Sequence, residues 1–370
     1  METIGIWSGS SYIWGDTMKL SKNEKIILWG LVKYPMLNDR QLSDKINVRM
    51  STLNAIKNKM KRKGLIKDRI VPNVEIMDYE LLSVVWAPLE KTIKEEDDKR
   101  FLKDLFKDYP NTYTSMVFGD TLFYLSMYRN YTQLSRVQYN LENTLKKSGL
   151  LDTDKVHHTI HPLSISVLSK NFDYTSVLER AFDIEPTGEI KDPFVKEFDK
   201  EAFEKIHNLT NKEKIILKGI LRGPDMPDNK IAKMLDTTRQ AVARHKKELL
   251  KLGVIKKIRI IDYKEMDFKI LSLVEANYNR KDGIDSGAPN TAPMHLPSFF
   301  AIYGSMETVS LALFRDFDQF DISKEKYTSL MREFCTLLGE PFINLFSPSR
   351  TFTIKHQEYL PLVEEFLKTQ

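Results

Sequence analysis

One stretch of this chain occurs twice. Leu20 aligns with Leu209, and the register then runs without a gap to Ala87 and Ala276. Glu24/Glu213, Ile26/Ile215, Ile27/Ile216, Leu28/Leu217 and Gly30/Gly219 are identical pairs. So are Pro35/Pro224, Gly64/Gly253, Ile66/Ile255, Met77/Met266, Asp78/Asp267, Leu82/Leu271 and Ala87/Ala276. Chance does not place so many matches in one ungapped register, so the chain reads as a duplication, and whatever one copy folds into the other must also form.

Each copy has the punctuation of a small helical module. Ser21 with Glu24 three residues on is a capping-box pattern that starts a first helix. Asp39 to Ile46 and Met50 to Lys63 follow as second and third helices, and Gly64 stands where a left-handed cap ends the last one. In the second copy Pro227 to Leu235 is the short helix, Thr237 and Thr238 cap the next, and Gly253 stops it. Leu65 to Val71 and Val254 to Tyr263 then alternate basic and β-branched residues, as strands do. Short helix, turn, basic helix and strand describe a winged helix-turn-helix, with the third helix in the DNA major groove and the strand in the wing.

Beyond each module the period changes. Leu81 to Ala87 reads as a buried strand, Ile93 to Tyr109 as an amphipathic helix, and Tyr113 to Phe118 and Leu122 to Tyr128 as strands about a Gly119-Asp120 turn. Ser135 to Lys147 is a helix, Val156 to Ser166 a fourth strand and Tyr174 to Phe182 a short helix. The order βαββαβ is that of a ferredoxin-like split unit. The second half repeats it with strands at Ile270–Ala276, Phe299–Tyr303 and Val309–Phe314, a helix from Lys324 to Leu338, an extended stretch from Phe342 to Ile354 and a helix at Tyr359–Leu367. In place of the 93–109 helix it has a Gly-, Pro- and Asp-rich loop over 279–297. The expected fold class is α+β: two winged helix-turn-helix modules, each followed by a βαββαβ ferredoxin-like domain. The expected divisions are an N-terminal arm (1–19), modules at 20–76 and 209–265, ferredoxin-like domains at 77–184 and 266–370, and a linker with its helix at 185–208. Apolar faces such as Phe123, Leu125 and Met127, with Leu311 and Leu313, predict that the two sheets pair within the chain.

Charge follows the repeat. Residues 20–87 hold thirteen Lys/Arg against seven Asp/Glu, and 209–276 sixteen against nine, in a chain of net +5. Positive charge is thus concentrated in the two modules and the remainder is acidic, the footprint of modules on a polyanion. No apolar run approaches the ~18 residues of a bilayer span, and residues 1–16 lack the basic region and apolar core of a signal peptide. A single cysteine, Cys335, excludes an internal disulfide framework and fits a reducing cytoplasm. It is expected inside a helix as a small buried apolar residue.

The runs MSTLNAIKNKMKRKGLI (50–66) and TRQAVARHKKELLKLGVI (238–255), joined to the sensor strands by MDYELLSVVWA (77–87) and MDFKILSLVEA (266–276), resemble the Lrp/AsnC family of archaeal and bacterial regulators. Family members carry one such unit and dimerise through their sensor sheets, so the resemblance implies an intrachain pseudo-dimer, with a further homodimer open. It also implies a small-molecule effector or the transcription machinery as partner. The sensor turns Gly119-Asp120 and Gly304-Ser305 are the effector-binding residues it suggests, although Ser305 departs from the family's Gly-Asp turn.

The expected function is sequence-specific regulation on double-stranded DNA. In module one, Arg49, Ser51, Thr52 and Asn54 are placed to read bases, and Lys57, Lys61, Arg62, Lys67 and Arg69 to hold phosphates. In module two, Thr238, Arg239, Gln240 and Arg244 read, while His245, Lys247, Lys251, Lys256, Lys257 and Arg259 hold the backbone. No phosphate loop, Cys-x-x-Cys or nucleophile motif stands out, so no catalytic residue, cofactor or metal is assigned and an enzyme is not expected. His157, His158 and His161 have no nearby cysteine and read as structural or solvated histidines. Two other functions use the same framework. It resembles that of siroheme decarboxylases, in which histidines support a tetrapyrrole, and it would also serve a protein-interaction scaffold.

Overall fold

The structure is a computed structural model that describes residues 20–185, 199–223, 226–280 and 296–369. The N-terminal arm, residues 186–198 of the linker and residues 281–295 of the loop lie outside the described residues. Module one comprises α1 (Lys22–Lys33), α2 (Asp39–Lys45), α3 (Met50–Arg62) and β1 (Ile66–Pro72). The first sheet domain follows as β2 (Leu81–Pro88), α4 (Glu96–Lys107), β3 (Thr112–Phe118), β4 (Thr121–Tyr128), α5 (Tyr131–Lys147), β5 (His157–Pro162), β6 (Val167–Asn171) and α6 (Thr175–Phe182). A helix α7 (Lys200–His207) precedes module two, which is α8 (Asn211–Arg222), α9 (Asp228–Met234), α10 (Arg239–Lys251) and β7 (Ile255–Ile261). The second sheet domain is β8 (Ile270–Arg280), β9 (Ser298–Tyr303), β10 (Glu307–Phe314), α11 (Phe317–Phe334), β11 (Cys335–Leu337), β12 (Phe342–Phe346), β13 (Thr351–Lys355) and α12 (Leu360–Lys368).

The class is the α+β one expected, and the helix boundaries follow the local signals. Ser21/Glu24 and Thr210/Glu213 both form reciprocal capping boxes. Gly64 and Gly253 end α3 and α10 at φ +71° and +68°, where a side chain would be strained. Gly30 and Gly219 serve another purpose: a Cβ on either would stand 2.7 Å from Ile46 or 2.6 Å from Leu235, so the missing side chain lets α1 and α8 lie close against their neighbouring helices.

The wing departs from expectation. Neither module forms its own strand hairpin; β1 and β7 pair antiparallel with each other as a two-stranded sheet, with Arg69 opposite Ile258. These two positions are equivalents in the repeat, so a pseudo-twofold axis passes through that pair. The cause is in the strand ends. In both modules the strand runs straight into a short 3₁₀ turn, at Val74–Ile76 and Tyr263–Glu265, and in module one Pro72 also offers no N–H to a return strand. Each module therefore presents one open edge, and the two edges satisfy one another.

The fourth strand of the first domain also differs. The expected 156–166 strand ends at Pro162, and the chain crosses over so that β6 pairs with β9 of the second sheet, Val167 opposite Tyr303. The second half does the same: β12 pairs with β8, and β13 crosses to β3, Thr351 opposite Phe118. Each sheet thus has four of its own strands in the ferredoxin-like order plus one strand from the other half, and the second sheet also carries the short β11 on β8. Cys335 is not helical as expected but opens the short strand β11 on β8, where it is buried.

The sheets meet face to face. Leu82, Val84, Phe123, Leu125 and Met127 share one buried core with Leu271, Leu273, Phe300, Leu311 and Leu313. Phe123 and Phe300 meet edge-on, ring centroids 6.3 Å apart. The alternate residues point outward: Val85, Val117 and Tyr124 lie under Leu102, Phe106 and Leu141 of α4 and α5, and Val274, Ala312 and Phe314 under Phe320, Tyr327 and Met331 of α11.

Candidate nucleic-acid interface and the cleft between the sheets

Thr238 caps α10, its Oγ1 accepting from the Ala241 N–H at 3.1 Å. From that start Gln240, Arg244, Lys247 and Lys251 fall at i, i+4, i+7 and i+11, and all four are exposed. They form one stripe along the helix. The equivalent stripe on α3 is Ser51, Ala55, Asn58 and Arg62, also exposed throughout. Module two thus offers three cations on this stripe where module one offers one. Asn58 was missed in the sequence, although the helical spacing from Ser51 would have found it.

Of the expected readers, Arg49, Ser51, Thr238, Arg239, Gln240 and Arg244 are exposed, while Thr52 and Asn54 are half-buried on the flank of α3. Arg62, Lys67, Lys247, Lys251 and Lys256 are exposed cations. Several other expected phosphate contacts are engaged within the protein. Lys57 pairs with Asp39 of α2 at 2.5 Å, and its repeat partner Lys246 pairs with Asp228 at 2.9 Å, so this position ties the second helix to the third in both modules. Lys61 is bound to Asp68 at 2.7 Å, and Lys257 lies half-buried 3.7 Å from the same carboxylate. Arg69 is half-buried at the centre of the β1–β7 pair, where its charge, after burial, helps push the His356 imidazole down to about 4. Arg259 must be reassigned. It is buried, its Nε donating to Asp68 Oδ1 at 2.7 Å and its NH1 to the Leu31 carbonyl. Strand alternation turns position 259 inward while 256 faces out. His245 must also be reassigned: it is buried beneath α10 beside Glu213 and Glu248.

The two sensor turns sit in different surroundings. Gly119 (φ +63°) donates its N–H to the Arg350 carbonyl at 3.2 Å, and Asp120 is exposed. Gly304 is buried, its carbonyl accepting from the Tyr278 hydroxyl at 2.8 Å, and a Cβ there would meet His161 Nδ1 at 3.1 Å; Ser305 is exposed. His161 is fully buried between the sheets with neither ring nitrogen hydrogen-bonded. Burial pushes its imidazole down to about 3. Nδ1 lies 3.8 Å from Glu307 Oε1. Burial, then the neighbouring Glu275, pushes the Glu307 carboxyl up to about 7, against a hydrogen bond from the Ile160 backbone. Glu275 accepts from Trp86 Nε1 at 3.2 Å, and Trp86 stacks on His157 with centroids 3.7 Å apart. His157 and His161 thus share the inner face of β5, while His158 points the other way to Glu142 at 3.2 Å. His161 is a poor fit to the structural role expected of it, since a structural buried histidine satisfies its nitrogens.

The sign of the Glu307 effect follows from linkage. Its carboxyl holds a proton in the folded state that the unfolded chain releases near pH 4.5. The stability this adds is present below that pH and is lost as pH rises through about 7. Glu307→Gln removes the ionisation. The variant should match the wild type in urea titrations at pH 4 and exceed it by about 1–3 kcal/mol at pH 8. An equal difference at both pH values would show that the carboxylate carries no such burden.

No family model matches the chain, and no curated protein matches it. Among solved structures, the siroheme decarboxylase NirDL covers 94% of this chain and 98% of its own, at 10% identity and a TM-score of 0.43. The same enzyme in complex with an iron-uroporphyrin III analogue matches at 11% identity and a TM-score of 0.42. Single-unit regulators match parts of the chain. AsnC of E. coli covers 39% of it and 92% of its own length, at 17% identity and a TM-score of 0.30, and an AsnC-family protein of Pyrococcus furiosus covers 40% and 90%, at 20% and 0.29. The structures similar along nearly the whole chain are those of an enzyme, so the expectation that this chain is not one is withdrawn. Among the described residues no helix is long and apolar enough to cross a membrane.

Proposed function

We propose that the chain is a DNA-bound transcription regulator, a tandem duplication of an Lrp/AsnC-like unit that reads two non-identical half-sites through α3 and α10. The observation that carries this reading is the pair of exposed stripes: Gln240, Arg244, Lys247 and Lys251 on one third helix, and Ser51, Ala55, Asn58 and Arg62 on the other. Arginine and glutamine near a helix start suit guanine and adenine edges in the major groove, and the lysines further along suit phosphates. A net-positive module in a chain whose remainder is acidic concentrates attraction for a polyanion at these helices. The turns Gly119-Asp120 and Gly304-Ser305, at the sheet interface, are the proposed effector contacts.

A second reading is favoured by His161 and Glu307. Glu307, a carboxyl pushed up to about 7 and 3.8 Å from a buried neutral imidazole with unpartnered nitrogens, is equipped to exchange a proton near neutral pH. That would suit a siroheme-decarboxylase-like enzyme acting between the sheets. One preparation tests both. Purified full-length protein is used to capture genomic fragments, and its visible absorbance is recorded before and after adding an iron porphyrin. Enrichment of discrete fragments, with affinity falling steeply with salt, supports the regulator. Random fragments together with a bound-tetrapyrrole spectrum that His161→Ala abolishes would replace it with the enzyme.

A further inference from the structure

We infer that module two carries a site for a transition-metal dication, made of His245 and Glu248 on α10 and Glu213 on α8. One donor atom from each of the three lies within 4.8 Å of the others. His245 is 9% exposed, and its Nδ1 has no hydrogen-bond partner although it faces the two carboxylates, 3.7 Å from Glu213 and 3.9 Å from Glu248. A polar atom buried in that way costs free energy unless something binds it. The spacing is close to what a metal needs. Ligands about 2.0–2.2 Å from a tetrahedral zinc stand roughly 3.4 Å apart, so a closure of about an ångström suffices. Half-exposed Glu248 can supply that movement.

Comparison of the two modules shows what sets this site apart. Glu24 and Glu213 are the equivalent capping-box glutamates, each buried beneath its third helix. Module one answers Glu24 from inside the module, with Lys59 at 2.7 Å. In module two the position of Lys59 is Glu248, and that of Ile56 is His245. Two positions that hold non-ligands in module one hold metal-ligand side chains in module two. The required cation comes from outside the module: Lys205 of α7 bonds Glu213 at 2.6 Å and Glu248 at 2.9 Å. Burial would push the Glu213 carboxyl up, yet Lys205 and Thr210 together hold it at about 2. A divalent ion would displace the Lys205 ammonium to solvent and add His245 as a third ligand. An imidazole with two carboxylates and open positions favours zinc, cobalt or nickel over calcium or magnesium.

Such an ion would also reach the stripe on α10, a consequence that rests on the DNA-binding reading. Arg244 NH2 lies 3.4 Å from His245 Nε2. Arginine only donates, so Nε2 accepts and the ring proton is on Nδ1. A metal on Nδ1 takes that proton's place and requires Nε2 to carry the hydrogen. Nε2 then no longer accepts, and Arg244 is released toward DNA.

The test uses metal-stripped full-length protein and Co²⁺, read by its visible d–d absorption, with Zn²⁺ as competitor and Mg²⁺ as control. One intense band per chain, abolished by Zn²⁺ and unaffected by Mg²⁺, is expected. His245→Gln and Glu248→Gln should each weaken binding by at least about tenfold. Lys205→Met should tighten it, because its ammonium competes; a purely structural cluster would not respond so. Retention of the full band in both ligand variants, or no band in the wild type and in Lys205→Met, overturns the site. Zn²⁺ should also raise affinity for the captured fragments about two- to tenfold in the wild type and not in Arg244→Ala. A metal that binds without this response overturns the coupling to Arg244. Since the cobalt band needs no DNA, failure of the DNA-binding reading would be seen separately.

Discussion

Replacing Arg259 by leucine should cost about 3 kcal/mol or more of folding stability, the lower end of what removing one partner of a buried ion pair costs. The guanidinium is 5% exposed and closes the junction between the modules, joining Asp68 of β1 to the end of α1 through the Leu31 carbonyl. Burial would push the Asp68 carboxyl up, but Arg259, Lys61 and Lys257 outweigh that and hold it well below the usual carboxylate range. Without Arg259, the Leu31 carbonyl and part of Asp68 stay buried with less to bind them. Lys61 and Lys257 remain near Asp68, so the loss is placed at the low end. Urea unfolding at pH 7 measures it, with exposed Lys256→Ala as a control expected within about 0.5 kcal/mol of the wild type. The sign with pH is also set. A depressed carboxylate contributes stability above its unfolded value near 3.8 and loses it as pH falls below that. The gap between variant and wild type should therefore narrow in acid. Full stability of Arg259→Leu with impaired DNA binding would restore the phosphate role and remove the structural one.

The double variant Gln240→Ala/Arg244→Ala should lose about 2–6 kcal/mol of binding to the preferred site if both side chains make bidentate base contacts. Loss on random DNA should be smaller, because the exposed Lys247, Lys251 and Lys256 would remain available to phosphates. The effect should also be one-sided. A symmetric dimer with one reading helix selects a palindrome, but the stripes here are Gln-Arg-Lys-Lys and Ser-Ala-Asn-Arg. Footprinting should show the variant losing one half of the protected region, while Asn58→Ala weakens the other. A strictly palindromic best site, or both variants losing the same half, would sink the two-reader model. Half-sites about one helical turn apart, or a multiple, are required if both modules approach one face of the duplex.

Much of the architecture was legible because its causes are local. Ser21 with Glu24, Thr238, Gly64 and Gly253 set helix ends through contacts within about one turn, and alternation in Leu81–Ala87 or Leu122–Tyr128 assigns each side chain to a face whatever lies opposite. The ungapped repeat carried that reading from one half to the other. The α10 stripe was legible for the same reason, since helical spacing alone decides which residues line up.

Pairing between distant segments was not. An open strand edge specifies that something must bind it and not which segment will, and side-chain alternation is satisfied by any partner of suitable length. That β1 pairs with β7, and that β6 and β13 change sheets, depends on which edges the packed structure leaves free. With those pairings came the features that reverse a sequence-based assignment. Arg259 became the centre of a buried network, and His161 and Glu307, from different halves of the chain, came together between the sheets. Glu213, His245 and Glu248 share a module but lie on two helices, and only the packing of α10 on α8 brought the three together. The sequence by itself determined the kinds of element, their order and their faces; the tertiary structure decided which charges are free to meet a ligand and which are spent holding the protein together, because burial and pairing depend on neighbours that the local chain does not contain.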